Sequence, residues 1–183
     1  SANNAWFYNN VTTSATSNIN VTATTIHLDG MAFNLTAGTG LNVTLTGVIE
    51  LSNGPVTVNA RGNITFAGTV NGNQNLTVES TNTGAIEFTA AVGNLIAIGT
   101  GAGSTNAITV NGTRPCTFDS TVRTQSGIRQ TGNSMIVFNE DITQTAGGAA
   151  PTDSVFNGNV TFTNAAAKTY QSVRSITFGD ASA

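Results

Sequence analysis

The two stretches that decide the fold are GNITFAGTVNG, residues 62–72, and GAIEFTAAVGN, residues 84–94. Each places a glycine, a β-branched residue, a polar residue, a phenylalanine and then a valine at matching offsets, and the two stretches lie 22 residues apart. A short pattern that returns at a fixed distance is typical of stacked repeats, in which each unit covers the apolar side of the next. The extent of this pattern along the chain therefore decides between a repeat and a coincidence.

The same pattern continues on both sides of these stretches. The units can be aligned on their phenylalanine, with Leu45 at the equivalent position upstream. Successive aligned positions are then separated by 21, 22, 30, 20, 18 and 22 residues. The 30-residue step contains GTGAGSTNA, which we interpret as a loop insertion. The sequence thus predicts units of about 20 residues. The predicted core aromatic ladder consists of Phe66, Phe88, Phe118, Phe138, Phe156 and Phe178.

Composition restricts the class of protein. The 183 residues include 32 threonines, 23 asparagines and 20 glycines, whereas 8 % are charged and the net charge is −3. Because Thr favours strands while Asn and Gly favour turns, an all-β protein is predicted. The scarcity of Lys and Arg argues against a nucleic-acid partner, and no apolar run is long enough for a membrane span. The start at Ser1 fits a mature secreted, extracellular protein, and it would fit a cloned fragment equally well.

Two architectures are compatible with the alternation of apolar and polar residues and with turn signals such as Asn71-Gly72 and Asn157-Gly158. The first is a parallel β-helix, or β-solenoid, in which each unit is one coil and the phenylalanines stack along the axis. The second is an antiparallel β-sandwich or jelly roll of the kind found in pilin-like domains. Because a sandwich gives no reason for successive strands to resemble one another, the β-solenoid is the preferred prediction.

Runs such as GNITFAGTVNGNQNLTVES followed by GAIEFTAAVGN resemble the degenerate repeats of large bacterial surface adhesins and autotransporter passengers. The resemblance covers roughly residues 41–178. It implies a β-helix at the cell surface that adheres, for example to host-surface or matrix glycans, or that builds fibres and biofilm. Passengers are usually longer than this chain, so we expect either a repeat segment of a large adhesin or a small polymerising subunit.

The N-terminal 30 residues do not fit the repeat, so we divide the chain into a cap or exchange arm, residues 1–30, and a β-solenoid body, residues 31–183. Trp6, Phe7 and Tyr8 cluster in the first part and are predicted to form a subunit interface. At the other end the chain reaches VRSITFGDASA without an evident cap. Exposed strand edges at both ends would allow a head-to-tail homopolymer, in which the arm adds a strand to its neighbour.

Residues for catalysis or metal binding are few, and the sequence predicts no catalytic, cofactor-binding or metal-binding residue. His27 is the single histidine, and a surface or capping role is expected for it. A carbohydrate-active β-helix enzyme would need an acidic ladder with an arginine, and the nearest candidates do not align into one. These candidates are Asp119, Arg123, Arg129, Glu140 and Asp141. If the coils stack, Asp119 lies over Asn139 and Arg123 lies over Thr143.

Three further features receive structural interpretations. GTGAGS, residues 99–104, lacks the ending of a phosphate-binding loop and is expected to be a loop or bulge. Eight N-x-T sequons are only slightly more than chance predicts, so the sequence does not require glycosylation. They begin at Asn10, Asn20, Asn34, Asn42, Asn63, Asn75, Asn111 and Asn159. T-x-T at residues 44–46 and 161–163 makes ice binding a minor alternative, and the lone Cys116 is expected to be buried. We therefore predict a non-enzymatic subunit of a self-assembling, adhesive surface filament.

Overall fold

The computed structural model describes residues 3–12, 17–29, 33–36, 41–100, 105–132, 134–145, 152–163 and 166–179. The protein is all-β, and parallel strands in stacked coils of about 22 residues form a β-solenoid of about 7 turns. The prediction of a solenoid is confirmed. Because every strand pair in these ranges is parallel, the antiparallel sandwich is wrong.

The described residues contain strands of two to eleven residues. They are β1 (Asn4–Phe7), β2 (Val11–Thr12), β3 (Ile19–Asp29), β4 (Phe33–Thr36), β5 (Val43–Ser52), β6 (Val56–Ala60), β7 (Ile64–Phe66), β8 (Val70–Asn71), β9 (Leu76–Ser80), β10 (Ile86–Phe88), β11 (Ile108–Gly112), β12 (Cys116–Phe118), β13 (Val122–Thr124), β14 (Ile128–Gln130), β15 (Ile136–Phe138), β16 (Ile142–Gln144), β17 (Ser154–Phe156), β18 (Val160–Phe162), β19 (Tyr170–Gln171) and β20 (Ile176–Phe178).

These strands stack into three faces. Face one contains the first halves of β3 and β5, then β7, β10, β12, β15 and β18. Face two contains β1, the second halves of β3 and β5, then β8, β13, β16 and β19. Face three contains β2, β4, β6, β9, β11, β14, β17 and β20. One complete coil therefore visits face one, face two and face three in turn.

Alternation along each short strand separates the core from the surface. In β10 the side chains of Ile86 and Phe88 are buried while Glu87 between them is exposed. In-register pairing then stacks equivalent side chains of successive coils, so that Phe88 lies between Phe66 and Phe118. Each buried side chain of this size contributes about 1.5–3 kcal/mol of transfer free energy, which makes the axial columns the main source of stability.

Glycines allow the coils to approach one another at the corners. A β-carbon on Gly84 would lie 1.8 Å from the carbonyl oxygen of Gly62 in the preceding coil. At another corner Gly47 has φ +135° and would bring its β-carbon to 1.9 Å from the Ala23 oxygen. No larger residue fits these contacts without moving the backbone.

The 30-residue step is an enlarged coil. Phe88 and Phe118 are direct register partners, so the additional residues between them leave the stack, as the loop interpretation predicts. The enlargement begins before GTGAGS, because face two in this coil is reduced to isolated bridges at Val92 and Ile98. Of the predicted loop, residues 101–104 lie outside the described residues.

The predicted six-ring ladder divides into two columns. Phe66, Phe88, Phe118 and Phe138 stack on face one with centroids 4.5–5.1 Å apart. The next ring of that column is Phe162, at 5.7 Å from Phe138. Phe156 and Phe178 pair with each other on face three. The 18-residue step from Phe138 to Phe156 thus crosses from one face to another within one coil.

The expected cap or exchange arm is built from the same strands as the body. β1 pairs in parallel with residues 25–28 of β3, and β3 pairs with β5 from Ile19 to Asp29. The described part of residues 1–30 therefore forms the first coils of the solenoid. Residue 30, the expected boundary, lies outside the described residues.

Candidate functional site at the ends of the solenoid

The last coil exposes the final ring of each aromatic column. Phe138 is fully buried, whereas Phe162 is 40 % exposed and Phe178 is 60 % exposed. Phe162 lies on β18 and Phe178 lies on β20, and each of these strands is the last strand of its sheet among the described residues. One backbone edge of each strand therefore has no partner strand there. Apolar rings beside an open parallel edge form a surface that another coil could cover.

The first coil presents the complementary edges. β1 on face two, β2 on face three and Ile19–Thr22 on face one have partner strands on one side only among the described residues. Phe7 and Val11 pack partly buried against the core at this end. Both ends of the solenoid therefore carry parallel edges with the same inward-facing apolar pattern.

The three aromatic residues of the predicted interface do not share a side of the strand. Phe7 points inward, in register with Leu28. Trp6 and Tyr8 point outward and are 49 % and 60 % exposed. Alternation along a strand forces this division, so only Phe7 belongs to the inner surface of the coil, while Trp6 and Tyr8 lie at its outer rim.

Charge differs between the two ends. Residues 157–179 contain Lys168 and Arg174 and no acidic residue, whereas residues 3–60 contain Asp29 and Glu50 and neither Lys nor Arg. Asp180 follows in the sequence and lies outside the described residues. Lys168 forms an ion pair with Glu140 of the preceding coil. The opposite signs favour contact of one end with the other over contact between like ends.

The interior next to the last coil is polar. The Tyr170 hydroxyl and Ser154 Oγ are 2.6 Å apart, Ser172 Oγ donates to Gln144 Oε1 at 2.6 Å, and Gln144 Nε2 donates to the Thr152 oxygen at 2.9 Å. Burial raises the pKa of Tyr170 to about 12, an effect partly offset by the hydrogen bond from Ser154. Directional bonds of this kind set the register of the last coils more specifically than apolar packing alone.

His27 occupies a defined position on the outer side of face two. Its ring stacks on Trp6 with centroids 3.5 Å apart and planes at 7°. Its Nδ1 is 3.1 Å from Glu50 Oε2 in the next coil. The surface role expected for His27 agrees with this placement, although the sequence does not show that Trp6 is its partner.

Four of the five acidic and arginine residues considered for catalysis lie in two adjacent coils, at or beside the corner between faces one and two. As predicted, Asp119 lies over Asn139, which donates to it through Nδ2 at 2.8 Å, and Arg123 lies over Thr143. Arg129 lies on face three, between Thr109 and Val155. No group of three or more His, Cys, Asp or Glu side chains suited to a metal ion occurs among the residues that the structure describes.

Several sequon asparagines hold adjacent coils together. Asn42 Oδ1 accepts a hydrogen bond from the Asn63 amide at 2.8 Å, and Asn63 Oδ1 accepts one from the Ala85 amide at 2.9 Å. Asn18 makes the same contact with the Asn42 amide at 2.8 Å. These side chains form an amide ladder at the corner that precedes face one.

The threonine column on face one is interrupted. Thr44 and Thr161 lie in one outward column, but Glu87 and Val137 occupy the same column between them. A regular ice-binding surface would need threonine throughout. Cys116 is fully buried in the core, as expected, and burial raises the pKa of its thiol.

Phe162 and Tyr170 are the end residues that sequence reasoning missed. A signal for Phe162 is present, because GNVTF at residues 158–162 repeats GNITF at residues 62–66 almost letter for letter. Alignment on that full motif selects Phe162 over Phe156 as the next ring of the face-one column. No comparable motif marks Tyr170.

No helix in the described part of the chain is long and apolar enough to cross a membrane. Comparison with family models, with curated proteins and with solved structures gives no match to this chain.

Proposed function

We propose that this chain is a non-enzymatic, extracellular structural protein that assembles end to end into a surface filament with an adhesive role. The observation that carries the proposal is the pair of open solenoid ends. Phe162 and Phe178 end their columns exposed, and the first coil offers parallel edges that can continue the same sheets. A contact between two different surfaces of one chain propagates into a fibre.

Charge supports the same pairing. Lys168 and Arg174 are the charged residues of the last coil, and Asp29 and Glu50 are those of residues 3–60. This contribution is screened by salt, so assembly should be slower at high ionic strength. Covering the two rings supplies the larger, salt-independent part of the contact.

Electron microscopy of the purified chain tests the proposal. Filaments are expected, with an axial rise of roughly 35 Å per subunit, because about 7 turns are spaced at about 4.8 Å. Removal of residues 1–12 should abolish them, since it deletes β1 and β2. Monodisperse monomers of the intact chain at every concentration would overturn the proposal.

A matched pair of variants distinguishes the end contact from nonspecific association through exposed apolar side chains. Phe162→Ser with Phe178→Ser should prevent filament formation. Leu95→Ser with Ile96→Ser removes apolar side chains that are 77 % and 53 % exposed on the side of the solenoid, and should leave assembly unchanged. Both double variants should keep the strand signal in circular dichroism. If the lateral variant abolished filaments and the end variant did not, the end contact would be wrong.

The second candidate is a repeat segment of a large surface adhesin. The structural observation in its favour is that the last coil keeps the in-register pattern of the internal coils, with Phe162 over Phe138 and Phe178 over Phe156. A following coil of the same polypeptide would therefore cover the exposed rings as well as a second copy would. Monomers of this chain that become more stable when further coils are added at the C-terminus would support this candidate.

A further inference from the structure

Trp6, Tyr8, His27 and Glu50 form a cluster on the outer side of face two, at the rim of the first coil. The cluster contains the only tryptophan and the only histidine of the chain. The core does not account for Trp6 and Tyr8, because both side chains point away from the interior. Large exposed aromatic side chains on a rigid strand indicate a binding surface.

His27 covers one face of the Trp6 indole, and no strand in the described part of the chain covers the other. His27 is the register partner of Trp6 and stacks against it at 3.5 Å. On the opposite side of β1 the structure describes no further strand. The ring face opposite His27 therefore points along the solenoid axis, away from the second coil.

Tyr8 extends this surface. Its ring is nearly parallel to that of Trp6, with planes at 10° and centroids 5.9 Å apart. Residues two apart on a strand are separated by about 6.6 Å, so the two parallel rings are neighbours along the chain, with their planes offset. Together they form a two-ring aromatic platform on the outer side of the first coil.

Polar groups surround the platform. Glu50 is 49 % exposed, and its Oε2 lies at His27 Nδ1, which leaves Oε1 to accept from a ligand. The indole N–H of Trp6 can donate, and the Tyr8 hydroxyl can donate or accept. His27 and Glu50 also position the indole, since the imidazole is held between the ring above it and the carboxylate below it.

We infer that the Trp6–Tyr8 platform binds an uncharged saccharide. The apolar C–H face of a pyranose ring is flat and about as wide as one aromatic ring, so it stacks on Trp6 or Tyr8, while its hydroxyl groups reach the polar rim. The inference rests on the proposed function in one respect: a copy stacked on the first coil would cover the open face of Trp6. Saccharide binding would then occur at the free N-terminal end of a filament.

Titration with methyl β-glucopyranoside and with cellotetraose tests this inference. The Phe162→Ser, Phe178→Ser variant serves as the host, because it retains the platform and is expected to stay monomeric. Trp6 is the only tryptophan, so its fluorescence reports binding directly, and calorimetry follows the variants. Cellotetraose should bind at least tenfold more tightly than the single sugar, since it spans both rings.

Variants then locate the site. Trp6→Ala and Tyr8→Ala should each weaken cellotetraose binding at least tenfold, and Tyr8→Phe should weaken it less. His27→Phe keeps a ring beneath Trp6, and should bind more tightly than His27→Ala. Tyr170→Phe, at the other end of the chain, is the control and should bind as the host does.

Three results would overturn the inference. The first is no signal up to about 50 mM sugar. The second is binding that Trp6→Ala and Tyr8→Ala leave unchanged. The third is a response to tetramethylammonium without a response to sugars, which would indicate a cation site on the same rings. Because the titration uses a monomer, its failure is distinguishable from a failure of filament assembly.

Discussion

The rings of Phe88 and Phe118 stack with centroids 4.6 Å apart and planes at 5°, although thirty residues separate them in the sequence. Each ring is fully buried and is also covered on its other side by a phenylalanine of the next coil. The enlarged coil between them therefore leaves the axial stack intact. Stability in this fold therefore depends on contacts between axial neighbours.

Phe118→Ala should lower the free energy of unfolding by about 3–5 kcal/mol, because it opens a cavity between two stacked rings. Phe162→Ala should cost less than about 2 kcal/mol, since that ring is 40 % exposed. Urea denaturation followed by circular dichroism measures both. Equal losses would show that the column does not carry the stability assigned to it.

Gly84→Ala should destabilise the chain by about 2 kcal/mol or more, because the new β-carbon would lie 1.8 Å from the Gly62 oxygen. Gly112→Ala is the matched control. Its β-carbon would meet its nearest neighbour, the Arg114 oxygen, at 3.5 Å, so its effect should stay within about 0.5 kcal/mol. Thermal unfolding of the two variants gives the comparison, and a tolerated Gly84→Ala would contradict the close approach of the coils.

Asn63→Ala should cost about 1 kcal/mol, since it removes the acceptor of the Ala85 amide. Asn63→Asp keeps an oxygen at that position and should retain most of the stability at neutral pH. Chemical denaturation distinguishes the two substitutions. A loss in Asn63→Asp as large as that in Asn63→Ala would mean that the amide ladder acts through its N–H groups.

The partly buried Tyr170 makes the stability of the fold depend on pH in the alkaline range. Its pKa rises from 10.0 to about 12 on folding. Its contribution is therefore fully present below pH 10 and is lost as the pH rises to about 12, a change on the order of 2 kcal/mol. Tyr170→Phe should remove this dependence. Unfolding measured between pH 9 and pH 12 tests it, and an unchanged slope in the variant would contradict the assignment.

Much of the fold was accessible from the sequence because its signals are local. The recurring Phe, the alternation along each strand and the Asn-Gly turns predict coils, and the coils are present. Phe118 over Phe138 and Asp119 over Asn139 follow directly from aligning two units. The assignment of Phe156 was different, since alignment on the aromatic residue alone cannot tell which face a strand belongs to.

The candidate site was less accessible. Trp6 and His27 are neighbours only because β1 and β3 pair in one particular register, and a shift of β1 by one residue would turn Trp6 inward. The same register places Phe7 on the inner side of the coil and Trp6 and Tyr8 on its outer side. The partnership of Tyr170 with Ser154 depends on two faces meeting across the interior, which no local pattern encodes.

The sequence by itself determined that this chain is a stack of short parallel coils, since period, alternation and turn residues act over one coil and every coil repeats them. Only the tertiary structure decided which side chains meet. Tyr170 meets Ser154 across the interior, and Trp6 lies on His27 at the rim. The physical reason is that contacts between coils depend on the register of strands twenty or more residues apart, and a change of one residue in a corner reassigns them.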